Sequence, residues 1–362
     1  MKQYNTDIDR QTILIEGIPY SHYEIEMVRM NIPVDRKSFR QELFSFLSDW
    51  FDQSETITVH TSGSTGRPKE LEVEKERMMN SACLTCSFLG LKLNDTALLC
   101  MPLEYIAGKM VVVRALIAGL DLQLVTPSGH PLKDLKEAPV FAAMIPMQVY
   151  NSLQIPAEKE CLHQIKHLII GGGAIDDTLA EDLKDFPNAV WSTYGMTETL
   201  SHIALRRLNG KSATEWYKPF DNVRIRLNHE GTLVIYAPQI CEEELVTNDI
   251  AEINEQGEFR ILGRKDNTIN SGGVKIQIEQ VEAALKKQLH IPFLITSMPD
   301  AKFGEIVVML VEDNIPEGIE SLCEDILPSY WRPKRIIPIP QLPLTETGKP
   351  DRATAKWLAK SK

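Results

Sequence analysis

Short apolar runs recur along the first half of the chain, at 57–60, 97–101, 122–125, 140–145, 167–170 and 189–194, each bounded by polar or glycine-containing segments. Between them, residues 75–89, 109–118 and 177–186 place apolar positions three and four apart. A run too short for a helix and apolar throughout predicts a buried strand, whereas the three-and-four period predicts a helix with one face on a core. Alternation of the two predicts βα units around a mostly parallel sheet, with functional residues at the carboxyl ends of its strands. Ahead of this region, 13–20 reads as a hairpin and 37–51 as an amphipathic helix.

The pattern changes beyond about Asn209. Short strand-like runs at 223–227, 232–236, 244–247 and 259–262 are separated by turn-forming segments at 228–231 and 254–257, which predicts a small antiparallel region. A third texture follows: a helix over 277–289, strands over 293–298 and 306–311, and a helix over 318–326. The predicted fold class is therefore α/β. A large N-terminal domain (1–265) carries parallel βα units plus a small antiparallel β region, and a small α+β C-terminal domain (266–362) follows a hinge. Two domains also suit 362 residues, because single cores stop growing near roughly 250–300.

Composition narrows the function classes. With 43% hydrophobic and 25% charged residues the chain is an ordinary globular protein, and its net charge of −11 disfavours non-specific binding to nucleic acid or anionic membranes. The first ten residues are polar and lack the apolar stretch of a secretory signal. The most apolar helical segment, 110–120, is too short to span a bilayer and carries Arg114. The expectation is a cytoplasmic protein with no membrane insertion and no nucleic-acid partner; a chain of this size and charge suits a homodimer. Six scattered cysteines fit a reducing compartment. Cys83 and Cys86 form a CxxC without a second pair, and read as small core residues. His163 and His167 have zinc-like spacing, but Gln164 stands where a zincin needs its glutamate.

The candidate chemistry begins directly after the run at 57–60, with Thr61-Ser62-Gly63-Ser64-Thr65-Gly66-Arg67-Pro68-Lys69. Its glycines let the backbone turn tightly and bring N–H groups to a phosphate, while hydroxyls and two cations add donors. The spacing is not that of a Walker A loop. These nine residues resemble the phosphate loop of the adenylate-forming superfamily, which includes acyl-CoA synthetases, non-ribosomal adenylation domains and luciferases. Further motifs of that superfamily follow in order: Gly171-Gly172-Gly173-Ala174, Tyr194-Gly195-Met196-Thr197-Glu198-Thr199, Thr247-Asn248-Asp249, Gly263-Arg264 with Asp266, the segment 271–276, and the segment 343–352 containing Lys349.

The resemblance implies attack of a carboxylate on the α-phosphorus of ATP, with diphosphate leaving, followed by attack of a thiol on the acyl-adenylate. Charge then develops on phosphate oxygens, where positioned N–H groups, Mg²⁺ and a lysine stabilise it. Carried over residue by residue, Thr61, Ser62, Gly63, Ser64, Thr65, Gly66 and Lys69 hold the phosphates. Gly172, Gly173, Ala174, Tyr194, Gly195, Met196 and Thr197 line the nucleotide, with Tyr194 stacking on adenine. Asp249 binds the ribose hydroxyls beside Arg264, and Glu198 holds Mg²⁺. Thr61, Glu198 and Lys349 form the catalytic set, and Asp266 is the hinge about which the small domain rotates between half-reactions. Asn248 stands where that superfamily usually has glycine.

Within the superfamily, the segments 194–204 and 101–109 resemble the o-succinylbenzoate–CoA ligases of menaquinone biosynthesis. The phosphate loop starts at residue 61, earlier than in full-length acyl-CoA synthetases, so the resemblance is to a short form with a reduced first subdomain. Tyr105-Ile106-Ala107-Gly108 replaces a common His-x-x-Gly. A dicarboxylate substrate needs donors beyond the reacting end, for which Tyr105, Lys109, Ser201 and His202 are the candidates. The implied cofactors are ATP and Mg²⁺, with CoA as co-substrate and a small carboxylic acid as partner. Another aromatic or short acid, a free carrier protein as acceptor, and a non-catalytic nucleotide-binding protein are the alternatives.

Overall fold

Nine strands form the main sheet of the computed structural model, in the order Lys218–Pro219, His202–Arg207, Ala189–Gly195, His167–Ile170, Phe141–Met144, Thr96–Leu99, Asp121–Leu124, Ile13–Ile15, Ile18–Tyr20. The structure describes residues 4–31, 38–60, 70–173, 175, 177–344 and 350–361. From Ala189–Gly195 to Ile13–Ile15 all neighbours are parallel, and antiparallel strands close both edges. Phe141–Met144 is buried along its whole length, which explains an apolar run without alternation. After Thr96–Leu99 the chain places its next strand on one side and the following one on the other. At such a reversal the connecting loops diverge and leave a crevice over the carboxyl ends of the strands.

The chain divides into two units, one of 1–225, 236–245 and 256–258, the other of 226–235, 246–255 and 259–362. In the first, helix Ile106–Ala118 is apolar on all sides and every residue from Gly108 to Ala118 is buried, as expected of a helix without a polar face. Helix Phe39–Phe51 starts at a capping box in which Ser38 and Gln41 satisfy each other's backbone N–H. Its Leu43, Leu47 and Trp50 are fully buried, and Trp50 Nε1 donates to Gln11 Oε1 at 2.9 Å. The hairpin expected over 13–20 is present as Ile13–Ile15 and Ile18–Tyr20.

One strand departs from the sequence expectation. Thr56–His60 is not in the parallel sheet; it pairs antiparallel with Glu70–Glu74 in a separate ribbon. Ile57 and Val59 are buried, while Thr56 and Thr58 face outward and donate to Glu72 at 2.9 and 2.5 Å. One-sided burial is the signature of an antiparallel ribbon, and the alternating acidic residues of 70–74 concealed its partner.

In the second unit most of a four-stranded antiparallel sheet runs Arg224–Leu227, Thr232–Tyr236, Leu245–Ile253, Phe259–Arg264. A five-stranded sheet follows, with Gly304–Glu312 flanked by Phe293–Asp300 and, in parallel, Arg335–Ile339. Alternate residues of these strands enter two cores. Ile295, Val307, Met309 and Val311 meet helices Ile278–Lys286 and Ile319–Ile326, while Leu294, Ile306, Val308 and Leu310 meet Ala355 and Ala359 of helix Arg352–Ser361. A hairpin, Thr268–Ser271 with Val274–Gln277, occupies the stretch just before the first of these helices, which starts at Ile278. Among the described residues no helix is long and apolar enough to cross a membrane.

Candidate active site

Two parallel neighbours, His167–Ile170 and Ala189–Gly195, end side by side, with Ile170 paired to Ser192. Gly171 therefore stands against Thr193, and a Cβ there would lie 2.4 Å from Thr193 Oγ1. Only glycine fits this approach. The stretch Gly171–Gly173 thus presents bare backbone next to Tyr194.

The chain then reverses. A Cβ on Gly195 would lie 2.3 Å from the Ser201 carbonyl oxygen and 2.5 Å from His202 Cα, so the returning backbone crosses where a side chain would be. Thr199 Oγ1 accepts from the Met196 N–H at 2.9 Å and donates to the Ser201 carbonyl at 2.7 Å, tying the turn across its base. Leu200 takes φ 62° inside it, a strained value for a branched side chain. Glu198 sits on the outer side of this single 3-10 turn, exposed and in no ion pair among the described residues. Such a carboxylate suits Mg²⁺, which takes one or two carboxylates and completes its shell with water and phosphate oxygens.

The same reversal carries Ser201 and His202 inward to a residue that sequence reasoning did not assign to the site. Arg114 is only 2% exposed, and its Nη2 donates to Ser201 Oγ at 2.7 Å and Thr85 Oγ1 at 3.3 Å. His202 joins through Nε2 to Thr85 Oγ1 at 3.1 Å and through Nδ1 to Ser201 Oγ at 3.2 Å. Among the described residues Arg114 Nε has no hydrogen-bond partner and no carboxylate pairs with the guanidinium. Burial pulls its pKa down to about 10, so it remains a cation at neutral pH. Burial and then the Arg114 charge hold His202 well below the ordinary histidine value, leaving it neutral. The available signal was an arginine in the second half of a helix whose only other charged residue is Lys109.

Lys109 and Tyr105, on the same helix and at its start, point elsewhere. Lys109 Nζ donates to the Thr58 carbonyl at 2.5 Å and lies 6.0 Å from the Phe46 ring centre, so it pins the helix to the ribbon and is not among the partners of Arg114. Its pKa is lowered by burial, which outweighs the opposing pull of Asp49, Glu104 and Glu72. Tyr105 forms a parallel bridge with His60, immediately before the phosphate-loop candidate. Thr61 through Lys69, Ala174 and Lys349 lie outside the described residues.

In the second unit, Asp249 and Arg264 are directly opposed on neighbouring strands. Thr247 Oγ1 donates to the Leu233 carbonyl at 2.8 Å and accepts from the Asp249 N–H at 3.1 Å. Arg264 lies 3.9 Å from Asp249 and 3.6 Å from Asp266, and Asn248 Nδ2 donates to Asp266 Oδ2 at 3.2 Å. Leu344 and Pro350 form an antiparallel bridge, backed by the Asp351 N–H on the Pro343 carbonyl at 2.9 Å.

The profile of the AMP-binding enzyme family matches residues 47–239. The chain belongs to that family. Its matched span covers the glycine turn, the 195–202 reversal and Arg114. A solved structure from Dyadobacter fermentans, described as an acyl-CoA synthetase (AMP-forming)/AMP-acid ligase II-like protein, is 31% identical, with a TM-score of 0.63 over 92% of this chain and 97% of that one. The 2-succinylbenzoate–CoA ligase of Bacillus pumilus is 27% identical over 87% of this chain and 72% of its own. The o-succinylbenzoate coenzyme A synthetase of Bacillus subtilis, solved with ATP and magnesium ion, shares the fold at a TM-score of 0.67 and 20% identity, over 82% of this chain and 68% of that one. These relatives place this AMP-binding enzyme among the adenylate-forming acid–CoA ligases.

Proposed function

We propose that this cytoplasmic enzyme converts o-succinylbenzoate, ATP and CoA to o-succinylbenzoyl-CoA, AMP and diphosphate through an acyl-adenylate, in menaquinone biosynthesis. The observation that carries the substrate is Arg114. Among the described residues no carboxylate pairs with this buried guanidinium; a buried cation without an anion costs several kcal/mol, which is recovered when a ligand supplies the missing charge. An acid that reacts through one carboxylate and carries a second one meets that need; a simple benzoate or fatty acid does not. The ligase names of the curated relatives support the same reading.

In this scheme the glycine turn and Tyr194 receive the adenine, Asp249 and Arg264 the ribose, and the loop 61–69 the phosphates. Glu198 is the ligand for Mg²⁺, which supplies charge neutralisation at the phosphates. Lys349, on the domain 266–362, bridges the attacking carboxylate and the α-phosphate. Asp266 is the hinge at the 265/266 boundary about which that domain turns for the thiol step. Neutral His202 with Ser201 keeps Arg114 from being solvated by bulk water, so its charge stays strong for the distal carboxylate.

The test is a mass-resolved ligation assay with o-succinylbenzoate beside monocarboxylic benzoates and short fatty acids. The expected product is the o-succinylbenzoyl thioester, matched by AMP release. Arg114→Met should lower kcat/KM for the acid by about 30-fold or more, the equivalent of roughly 2–5 kcal/mol for unpairing a buried charge. It should leave KM for ATP in place and hold or raise Tm, because an unpaired buried charge is removed. Equal turnover of monocarboxylic acids by the unaltered enzyme overturns the substrate assignment. Acyl-AMP without thioester points to a carrier-protein acceptor.

A further inference from the structure

Strand Ala189–Gly195 puts Ser192 and Tyr194 on one face, since alternate residues of a strand share a side. The neighbouring strand His202–Arg207 sets Arg206 directly opposite Ser192 and Ala204 opposite Tyr194. Over this patch lies Tyr217, from the segment that leads into the edge strand Lys218–Pro219. Its hydroxyl and Ser192 Oγ are 2.9 Å apart, its ring centre lies 5.8 Å from that of Tyr194 at 56°, and the Arg206 guanidinium sits 5.2 Å above its ring. Arg206 Nε has no hydrogen-bond partner among the described residues, so the aromatic face is a principal contact of that buried group.

We propose that Tyr217 is a positioning residue for nucleotide binding, a prop that holds the Tyr194 ring in the orientation in which it receives the adenine. The proposal rests on the reading of Tyr194 as the adenine platform and adds a residue outside every motif of the sequence. A tyrosine ring on a half-buried strand keeps rotameric freedom unless something packs on its flank. A tilted ring partner that is itself held by Ser192 at the hydroxyl and by Arg206 at the face removes that freedom before ATP arrives. Ordering the platform in advance lowers the entropic cost of binding. An aromatic pair of this kind is strong enough to change ATP affinity by roughly three- to tenfold.

The experiment compares Tyr217→Ala, Tyr217→Phe, Tyr194→Ala and the double variant Tyr194→Ala/Tyr217→Ala in the full chain. ATP affinity is measured by titration calorimetry with a non-hydrolysable ATP analogue, and KM is measured separately for ATP and for the acid. Tyr217→Ala is expected to raise KM for ATP roughly three- to tenfold with KM for the acid unchanged, and Tyr217→Phe, which keeps the ring over Arg206 but loses the Ser192 anchor, to raise it by a smaller factor. In the double variant the loss should equal that of Tyr194→Ala alone, because a prop has nothing left to hold. Additive losses in the double variant, or an unchanged ATP KM in Tyr217→Ala, overturn the proposal. Unchanged ATP affinity in Tyr194→Ala instead overturns the reading of Tyr194 on which it stands. If Tyr217→Ala does not fold, Tyr217→Leu is put through the same comparison.

Discussion

Below its ordinary titration range His202 is kept neutral by its surroundings. The groups facing it are Arg114 through Thr85 and Ser201, and the Phe220 ring at 5.4 Å. Its folded-state pKa lies below the ordinary 6.5, so above that pH neither state binds the proton. As pH falls below 6.5 the unfolded chain takes up a proton that the native one refuses. Stability present above the unfolded pKa is then lost, by at most about 1.4 kcal/mol per pH unit from this one group. His202→Gln should flatten the decline in urea-unfolding stability between about pH 6.5 and 5. An identical slope in both proteins would show that His202 is protonated in the native state. At the same scale, burial pushes the Cys86 and Cys100 thiols up to about 12, which removes them as nucleophiles at neutral pH.

Elements in the C-terminal unit are joined by an ion pair whose carboxylate is buried and whose guanidinium is partly exposed. Arg352, the first residue of helix Arg352–Ser361, donates through Nη1 and Nη2 to the two oxygens of Glu282 at 2.6 and 2.8 Å. Its Nη1 also reaches the Ile295 carbonyl at 3.1 Å, and the Ile295 N–H returns to Glu282 at 2.8 Å. Two helices and a strand thus share a closed network in which charge and backbone groups are satisfied. Removing one partner strands the other, so Arg352→Ala should cost about 3–5 kcal/mol of unfolding free energy. The paired replacement Glu282→Met/Arg352→Leu should cost much less. Denaturant titration of the full chain separates the two; equal losses would mean that the network contributes nothing beyond packing.

For the whole molecule, the proposed two-step chemistry assigns Lys349 to the first half-reaction only. Lys349→Ala should bind ATP normally and lose roughly two to three orders of magnitude in ATP–pyrophosphate exchange, as when a transition-state donor is removed. Thioester formation from supplied acyl-adenylate should persist. Comparable exchange rates in both proteins would end the assignment.

How much of this was legible from the chain depended on the range of the interaction. The alternation of buried strands and helices, the change of texture after the parallel sheet, and the glycine-rich turn after 167–170 follow from local backbone chemistry, and the sequence by itself determined them. Period and glycine spacing act between near neighbours, where a single chain carries the whole pattern. Tertiary structure alone decided that Thr56–His60 pairs with Glu70–Glu74 outside the sheet, and that Lys109 reaches Thr58. It also decided that Arg114 is a buried cation, by bringing Thr85 and Ser201 to it from 29 and 87 positions away. A charge takes its meaning from what desolvates and pairs it, and those groups are chosen by the packing of distant elements.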